Sequence, residues 1–155
     1  MKILVVYDSA HGNTEQIARA IGRAFNNPDK VEVSRIGAAV LQKLPGTGLV
    51  IAGAPTYGGK PTPAMLEFLD SIPSDNLKGV NVAAFDTRLT NKLVGIFGFA
   101  SGKIAAHLKN KGGKQISEPT GFFVKGSKGP LKDGELERAT QWGKTMAGSL
   151  TAVPH

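Results

Sequence analysis

Between Asp8 and Thr14 the chain sets two hydroxyls, an imidazole, a carboxamide and a glycine side by side: Asp8-Ser9-Ala10-His11-Gly12-Asn13-Thr14. Ser9 and His11 invite a nucleophile–base reading. Two positions apart in a tight loop, however, they lack a third group to orient the imidazole, and an unoriented pair does not activate a serine. Anion binding is the better use of these residue types. Ser9 and Thr14 can donate hydroxyl hydrogens, and Gly12 lets the backbone come close to a ligand. A helix starting here would add N–H groups without intrahelical acceptors and the positive end of its dipole, a combination suited to phosphate. An ordinary strand-to-helix turn with a Ser or Asn cap would use the same residues, so this stretch alone does not name a ligand.

Two further clusters carry polar or ring-bearing groups. Pro55-Thr56-Tyr57-Gly58-Gly59-Lys60-Pro61-Thr62-Pro63 is too rich in proline and glycine to be anything but a loop. Asp86, Thr87 and Arg88 open a long connection that runs to Gly98 and includes Lys92 and Phe97. Several other chemistries are excluded. There is no G-x-x-x-x-G-K-[ST] phosphate loop and no G-x-G-x-x-G after the first apolar run. Only Asp8 follows that run, where a phospho-acceptor site of the receiver type needs paired carboxylates. The chain has no cysteine, hence no disulfide, thiolate metal site or cysteine nucleophile. Its three histidines, His11, His107 and His155, share no metal-ligand spacing, and no metal is expected. The sequence therefore supplies binding groups without catalytic machinery, and any redox chemistry must come from a bound cofactor.

The elements that must position these clusters follow from hydrophobic patterning. Ile3–Val6 is an uninterrupted apolar run, as expected of a strand buried on both faces of a parallel sheet. Ile17, Ala18, Ile21, Ala24 and Phe25 recur at helical spacing behind the first cluster. Val31–Ile36 alternates like an edge strand, and Gly37–Leu44 reads as a short helical connection. Leu49–Ala54 is a second central strand. Met65, Leu66, Phe68, Leu69 and Ile72 predict a helix that stops at Pro73. Val80–Phe85 is a fourth strand, after which Ser101 caps a helix carrying Ile104, Ala105 and Leu108 to Gly112. A fifth strand lies within Gln115–Val124, bent at Pro119, and Leu136, Ala139, Gly143, Met146, Ala147 and Leu150 form the buried face of a last helix. Strands alternating with helices imply an α/β fold in a single doubly wound domain spanning residues 1–155: a five-stranded parallel sheet of order 2-1-3-4-5 with helices on both faces. In that fold ligands bind beyond the carboxyl ends of the strands at the switch point between the first and third, which is where all three clusters fall.

The 155 residues include 19 Lys and Arg against 12 Asp and Glu, a formal net charge of +7. An acidic partner or a nucleic acid must be considered. The lysines between Lys103 and Lys132 are nevertheless spread without an arginine cluster or interleaved aromatics, so a solvated basic face is preferred over a nucleic-acid site. No apolar run approaches the roughly 20 residues of a membrane span, and a strand beginning at residue 3 leaves no room for a signal peptide. A soluble, cytoplasmic protein is expected, and a monomer is favoured.

These residues resemble the flavodoxin family of FMN-binding electron carriers. Ser9-Ala10-His11-Gly12-Asn13-Thr14 is similar to the family's Ser/Thr-x-Thr-Gly-x-Thr phosphate loop, with His11 where a second threonine is usual. Pro55-Thr56-Tyr57-Gly58-Gly59 stands in the position of the first ring-binding loop. No long insertion splits the fifth strand, which makes the chain similar to the short-chain type. The resemblance implies that Ser9, His11, Gly12, Asn13 and Thr14 hold the FMN phosphate. It implies that Pro55, Thr56, Tyr57, Gly58, Gly59, Asp86, Thr87 and Arg88 surround the ring, with Tyr57 stacked on one face. Many flavodoxins place a tyrosine on the outer face from the third loop. Here Phe97, Phe99 or the Arg88 guanidinium would substitute, or the face is open to a partner. Lys60, Arg88 and Lys92 would form a positive rim favouring negative charge on the reduced ring. The function implied is electron shuttling between redox partner proteins, docked through an acidic surface of the partner. An FMN-dependent NAD(P)H:quinone-type reductase is the alternative.

Overall fold

The computed structural model describes residues 1–27, 30–89 and 99–151. Its elements in order are β1 (Ile3–Tyr7), α1 (Asn13–Gly22), β2 (Val31–Arg35), α2 (Ala38–Leu41), β3 (Leu49–Pro55), α3 (Pro63–Ser71), β4 (Asn81–Leu89), α4 (Ala100–Asn110), β5 (Lys114–Gln115), β6 (Thr120–Val124) and α5 (Glu135–Thr151). The sheet is parallel with order β2-β1-β3-β4-β5, and β6 also pairs with β4. This is the doubly wound order expected from the sequence, with β2 at the edge as its alternation implied.

Because side chains alternate across a strand, each strand feeds two cores. Leu4, Val6, Val50, Ala52, Val82 and Ala84 face Met65 and Leu69 of α3 and Ile104 and Leu108 of α4. Ile3, Val5, Ile51, Ala83 and Phe85 face Ile17 and Ile21 of α1 and Ala139 and Met146 of α5. Phe85, Phe122 and Trp142 meet edge to face, with centroids 6.0–6.3 Å apart. Gly53 on β3 makes room for this cluster, since a Cβ there would lie 2.2 Å from the Phe85 ring. Among the described residues no helix is long and apolar enough to cross a membrane.

Three boundaries differ from the sequence reading, each for a physical reason. β4 does not end at Phe85 but runs to Leu89, so Asp86, Thr87 and Arg88 are strand residues, paired with Gly121, Phe122 and Phe123 of β6. The fifth lane of the sheet is two segments. β4 advances from Val82 to Phe85 while its neighbour advances from Gln115 to Thr120, so two extra residues bulge out around Pro119, which has no N–H for the ladder. Ser101 is inside α4, not its cap. Phe99 holds the N-cap position, and the first N–H groups of α4 are satisfied from the sheet, that of Ala100 by Thr56 Oγ1 (3.0 Å) and that of Ser101 by Asp86 Oδ2 (2.9 Å).

Candidate functional site

β1 delivers the chain to the first loop, which is built to open α1. The Ser9 N–H donates to Asp8 Oδ1 (3.0 Å) and the Gly12 N–H to Ser9 Oγ (3.0 Å). Gly12, at the N-cap, has φ +86°, a left-handed conformation that strains any residue with a Cβ. It caps α1 without a side-chain bond, so the turn is not the ordinary Ser- or Asn-capped kind. Among the described residues the backbone N–H groups of Ala10, His11, Asn13 and Thr14 meet no acceptor. Ser9 Oγ already accepts from Gly12, which leaves its hydroxyl hydrogen to donate outward. Asp8 anchors the loop from beneath, taking Thr62 Oγ1–H on Oδ2 and Arg35 Nη1–H on Oδ1 (3.2 Å), while Arg35 also donates to the Ser9 carbonyl (3.0 Å). Thr62 in turn caps α3, accepting the Met65 N–H (3.2 Å). Its Thr-Pro pairing at the cap and first helical position is a readable sequence signal that the loop reading passed over.

The second cluster is a two-residue hairpin. Tyr57 and Lys60 exchange backbone bonds (2.9 and 3.0 Å), and Gly58 and Gly59 between them both have positive φ, as a type I′ turn requires. Lys103 Nζ holds the hairpin from α4 by donating to the Gly59 carbonyl (2.5 Å). The hairpin projects Tyr57 at 44% exposure rather than packing it on the sheet.

Thr87 faces the first loop across the end of the sheet. Its hydroxyl and that of Thr14 share one 2.8 Å bond, and both residues are buried. Each hydroxyl carries a single hydrogen and the bond uses only one of them, so the pair keeps one donor for a ligand. The Thr87 carbonyl instead accepts the Thr56 N–H (2.9 Å), which removes that donor from any ligand. Asp86 and Arg88, two apart on one strand, project to the opposite face. Asp86 is fully buried, and Arg88 binds it with Nε at 2.7 Å and Nη2 at 2.8 Å. The guanidinium lies 3.4 Å from the Phe99 ring centroid, and a Cβ on Gly121 would come within 2.2 Å of its central carbon. Arg88 therefore offers neither a free plane nor an unbalanced charge, contrary to the positive rim expected of it. Phe99 is likewise committed to Arg88. Lys60 is exposed beside the hairpin; Lys92 and Phe97 lie outside the described residues.

One pocket, of about 70 Å³, collects Ser9, Ala10, His11, Asn13, Thr14, Pro55, Thr56, Tyr57, Thr87 and Arg88. Gly12, Gly58, Gly59 and Asp86 of the predicted set are not among its lining residues, although Gly12, Gly58 and Asp86 each adjoin one that is. The sequence reading missed three further lining residues: Leu89 at the end of β4, Val124 at the end of β6 and Ser127 in the β6–α5 connection. The run Gly126-Ser127-Lys128-Gly129 directly after an apolar strand was the available signal. A phosphate ester fits this arrangement: donors converge from a helix N-terminus and hydroxyls, and none of the pocket-lining residues is acidic.

The family model described as flavodoxin matches residues 5–142. A flavodoxin of Clostridium saccharobutylicum is 27% identical over 161 residues, covering 99% of each chain. Among solved structures, a flavodoxin from the domain Archaea superposes with a TM-score of 0.79 at 24% identity, covering 97% of this chain and 99% of that one. Flavodoxin 2 from Bacillus cereus gives 0.78 at 22% identity, with the same coverage.

Proposed function

The chain belongs to the flavodoxin family, and from that premise we propose that it shuttles electrons between redox proteins with FMN held in the pocket just described. Family membership supports an FMN-binding electron-transfer flavoprotein; the residue roles and the docking surface are our assignments. Bound FMN supplies the redox chemistry, taking up and returning electrons. The observation that carries the reading is the set of unpartnered N–H groups at the start of α1, converging with the Ser9 hydroxyl and the Thr14–Thr87 pair.

In this reading the N–H groups of His11, Asn13 and Thr14 hold the phosphate, Ser9 Oγ–H donates to it, and the spare hydrogen of the Thr14–Thr87 pair donates from the sheet side. Gly12 keeps the loop open enough for that approach. Tyr57 covers the ring, held out by the Gly58–Gly59 turn, and Pro55 and Thr56 border it. Asp86 and Arg88 act indirectly by fixing the start of α4 against β4. Partner docking takes place at the pocket mouth, where exposed Tyr57 and Leu89 form an apolar centre bordered by exposed Lys60, Lys125 and Lys128. Asp8, Glu15 and Asp86, which adjoin pocket-lining residues in the chain, are each paired with an arginine. Such a surface complements an acidic partner face.

The test is an absorbance spectrum of the purified protein with phosphate analysis of the released flavin. Stoichiometric FMN is expected, and NAD(P)H oxidation with quinones should stay at the rate of free FMN. Ser9→Ala should weaken FMN at least roughly tenfold while leaving riboflavin nearly unchanged, since a hydrogen bond to a charged group contributes about 1.5–3 kcal/mol. Equal losses for both ligands would remove the phosphate from this loop.

A further inference from the structure

The connection between β6 and α5 is more ordered than a routine turn needs to be, and its order is directed at the first loop. The Lys125 N–H donates to the Pro130 carbonyl (2.8 Å) and the Gly129 N–H to the Gly126 carbonyl (2.9 Å), closing the turn on itself. Val124 and Leu131 form a bridge at its base. From the opposite side Asn13, the first residue of α1, donates its carboxamide to the Lys128 carbonyl (3.2 Å). Gly129 has φ +97°, and a Cβ there would lie 2.5 Å from Asn13 Oδ1 and 2.6 Å from Nδ2. Only glycine therefore permits both the turn and the close approach of Asn13. The Asn13 side chain, a natural phosphate ligand from the sequence, is thus turned to the wall and not to the ligand. Its latch brings Ser127 to the pocket lining, opposite the hairpin that carries Tyr57. The Ser127 hydroxyl bonds to no described residue.

We propose that residues 125–130 form a fourth wall of the site. Asn13 acts there as a positioning residue, and Ser127 donates its hydroxyl to the phosphate end of the ligand. The inference rests on the FMN reading above and adds a recognition group that the first loop does not contain. The latch also joins two loops, because the residue that begins α1 is the one whose side chain holds the turn.

Equilibrium dissociation constants for FMN and riboflavin, measured by flavin fluorescence quenching, test it. Ser127 is exposed, so Ser127→Ala leaves the fold intact. That variant should lose roughly tenfold for FMN and little for riboflavin, as expected for a hydrogen bond to a charged group. Asn13→Ala should likewise lower the ratio of FMN affinity to riboflavin affinity. Introduced into Ser127→Ala it should lower the ratio little further, because it acts through Ser127; additive losses would overturn the latch. If Ser127→Ala keeps the wild-type ratio while Ser9→Ala lowers it, the fourth wall is overturned and the FMN site stands. A wild-type protein that binds both flavins equally overturns both.

Discussion

At the scale of single residues, the most consequential arrangement is Asp86 with Arg88. A fully buried carboxylate is tolerable only with a partner and hydrogen bonds, and Asp86 has a bidentate guanidinium and the Ser101 N–H. Removing the cation alone strands that charge. Arg88→Gln is therefore expected to cost about 3–5 kcal/mol in denaturant unfolding, and adding Asp86→Asn should recover a large part of the loss. A single variant as stable as wild type would show that the pair contributes nothing. The residue types at this point are legible in the sequence; their surroundings are not. Phe85-Asp86-Thr87-Arg88 looks like the point where an apolar strand yields to a polar loop, because local pattern cannot show that Asp86 and Arg88 satisfy each other on one face of β4. The first loop was legible for the opposite reason. The groups it offers are backbone N–H groups and near-neighbour hydroxyls, which follow from local order. The place of the Asn13 carboxamide was not legible in the same way, because its partner, the Lys128 carbonyl, is 115 positions away.

At the scale of elements, α5 is tied to the sheet by its first turn. Glu135 accepts the Phe123 N–H (2.7 Å) and two bonds from Arg138, whose guanidinium also reaches the Gly121 carbonyl. The Arg138 hydrogen bonds, opposed by burial and helped by the Phe123 N–H, hold the Glu135 carboxyl below its ordinary pKa. A carboxylate with a depressed folded value contributes stability that is complete above its unfolded pKa, about 4.3, and is lost as pH falls through the folded value. Wild-type unfolding free energy should thus drop below about pH 4 by more than that of Glu135→Gln, which lacks this titration. Parallel pH profiles for the two proteins would refute the assignment. The same segment shows where element prediction from sequence stops. The helix was clear from Ala139, Gly143 and Met146, and the sheet order followed from alternation of strands and helices. The division of the fifth lane around Pro119 depends on how β4 is shared between β5 and β6, which is a matter of tertiary register. The cap of α4 likewise comes from Thr56, just past β3, and Asp86 on β4, so Ser101 could only be misassigned from its local sequence.

At the scale of the whole molecule, the sign and placement of charge decide what the site can meet. The chain carries a formal +7, and Asp8, Glu15 and Asp86 are already paired with Arg35, Arg19 and Arg88. Lysines 60, 125 and 128 are exposed in the turns around it, with Asp133 near Lys125 at 3.8 Å as a loose, solvated counter-charge. Exposed pairs of that kind contribute little, so the field at the mouth remains positive. Long-range steering follows from this field and is governed by screening: the Debye length contracts from about 30 Å at 0.01 M salt to about 8 Å at physiological ionic strength. Electron exchange with an acidic one-electron carrier should slow on the order of tenfold across that range, whereas exchange with a basic carrier should hold steady or quicken. Lys60→Glu with Lys128→Glu should reverse the preference, because both side chains are exposed and neither bonds to a described residue. The measurement is stopped-flow reduction at several salt concentrations, with duplex DNA added as competitor. Nucleic acid would produce the same salt trend without discriminating between carriers. Identical salt responses with acidic and basic carriers would mean that the lysines are a solvated face only, and inhibition by DNA at physiological salt would move the basic surface from redox docking to nucleic acid.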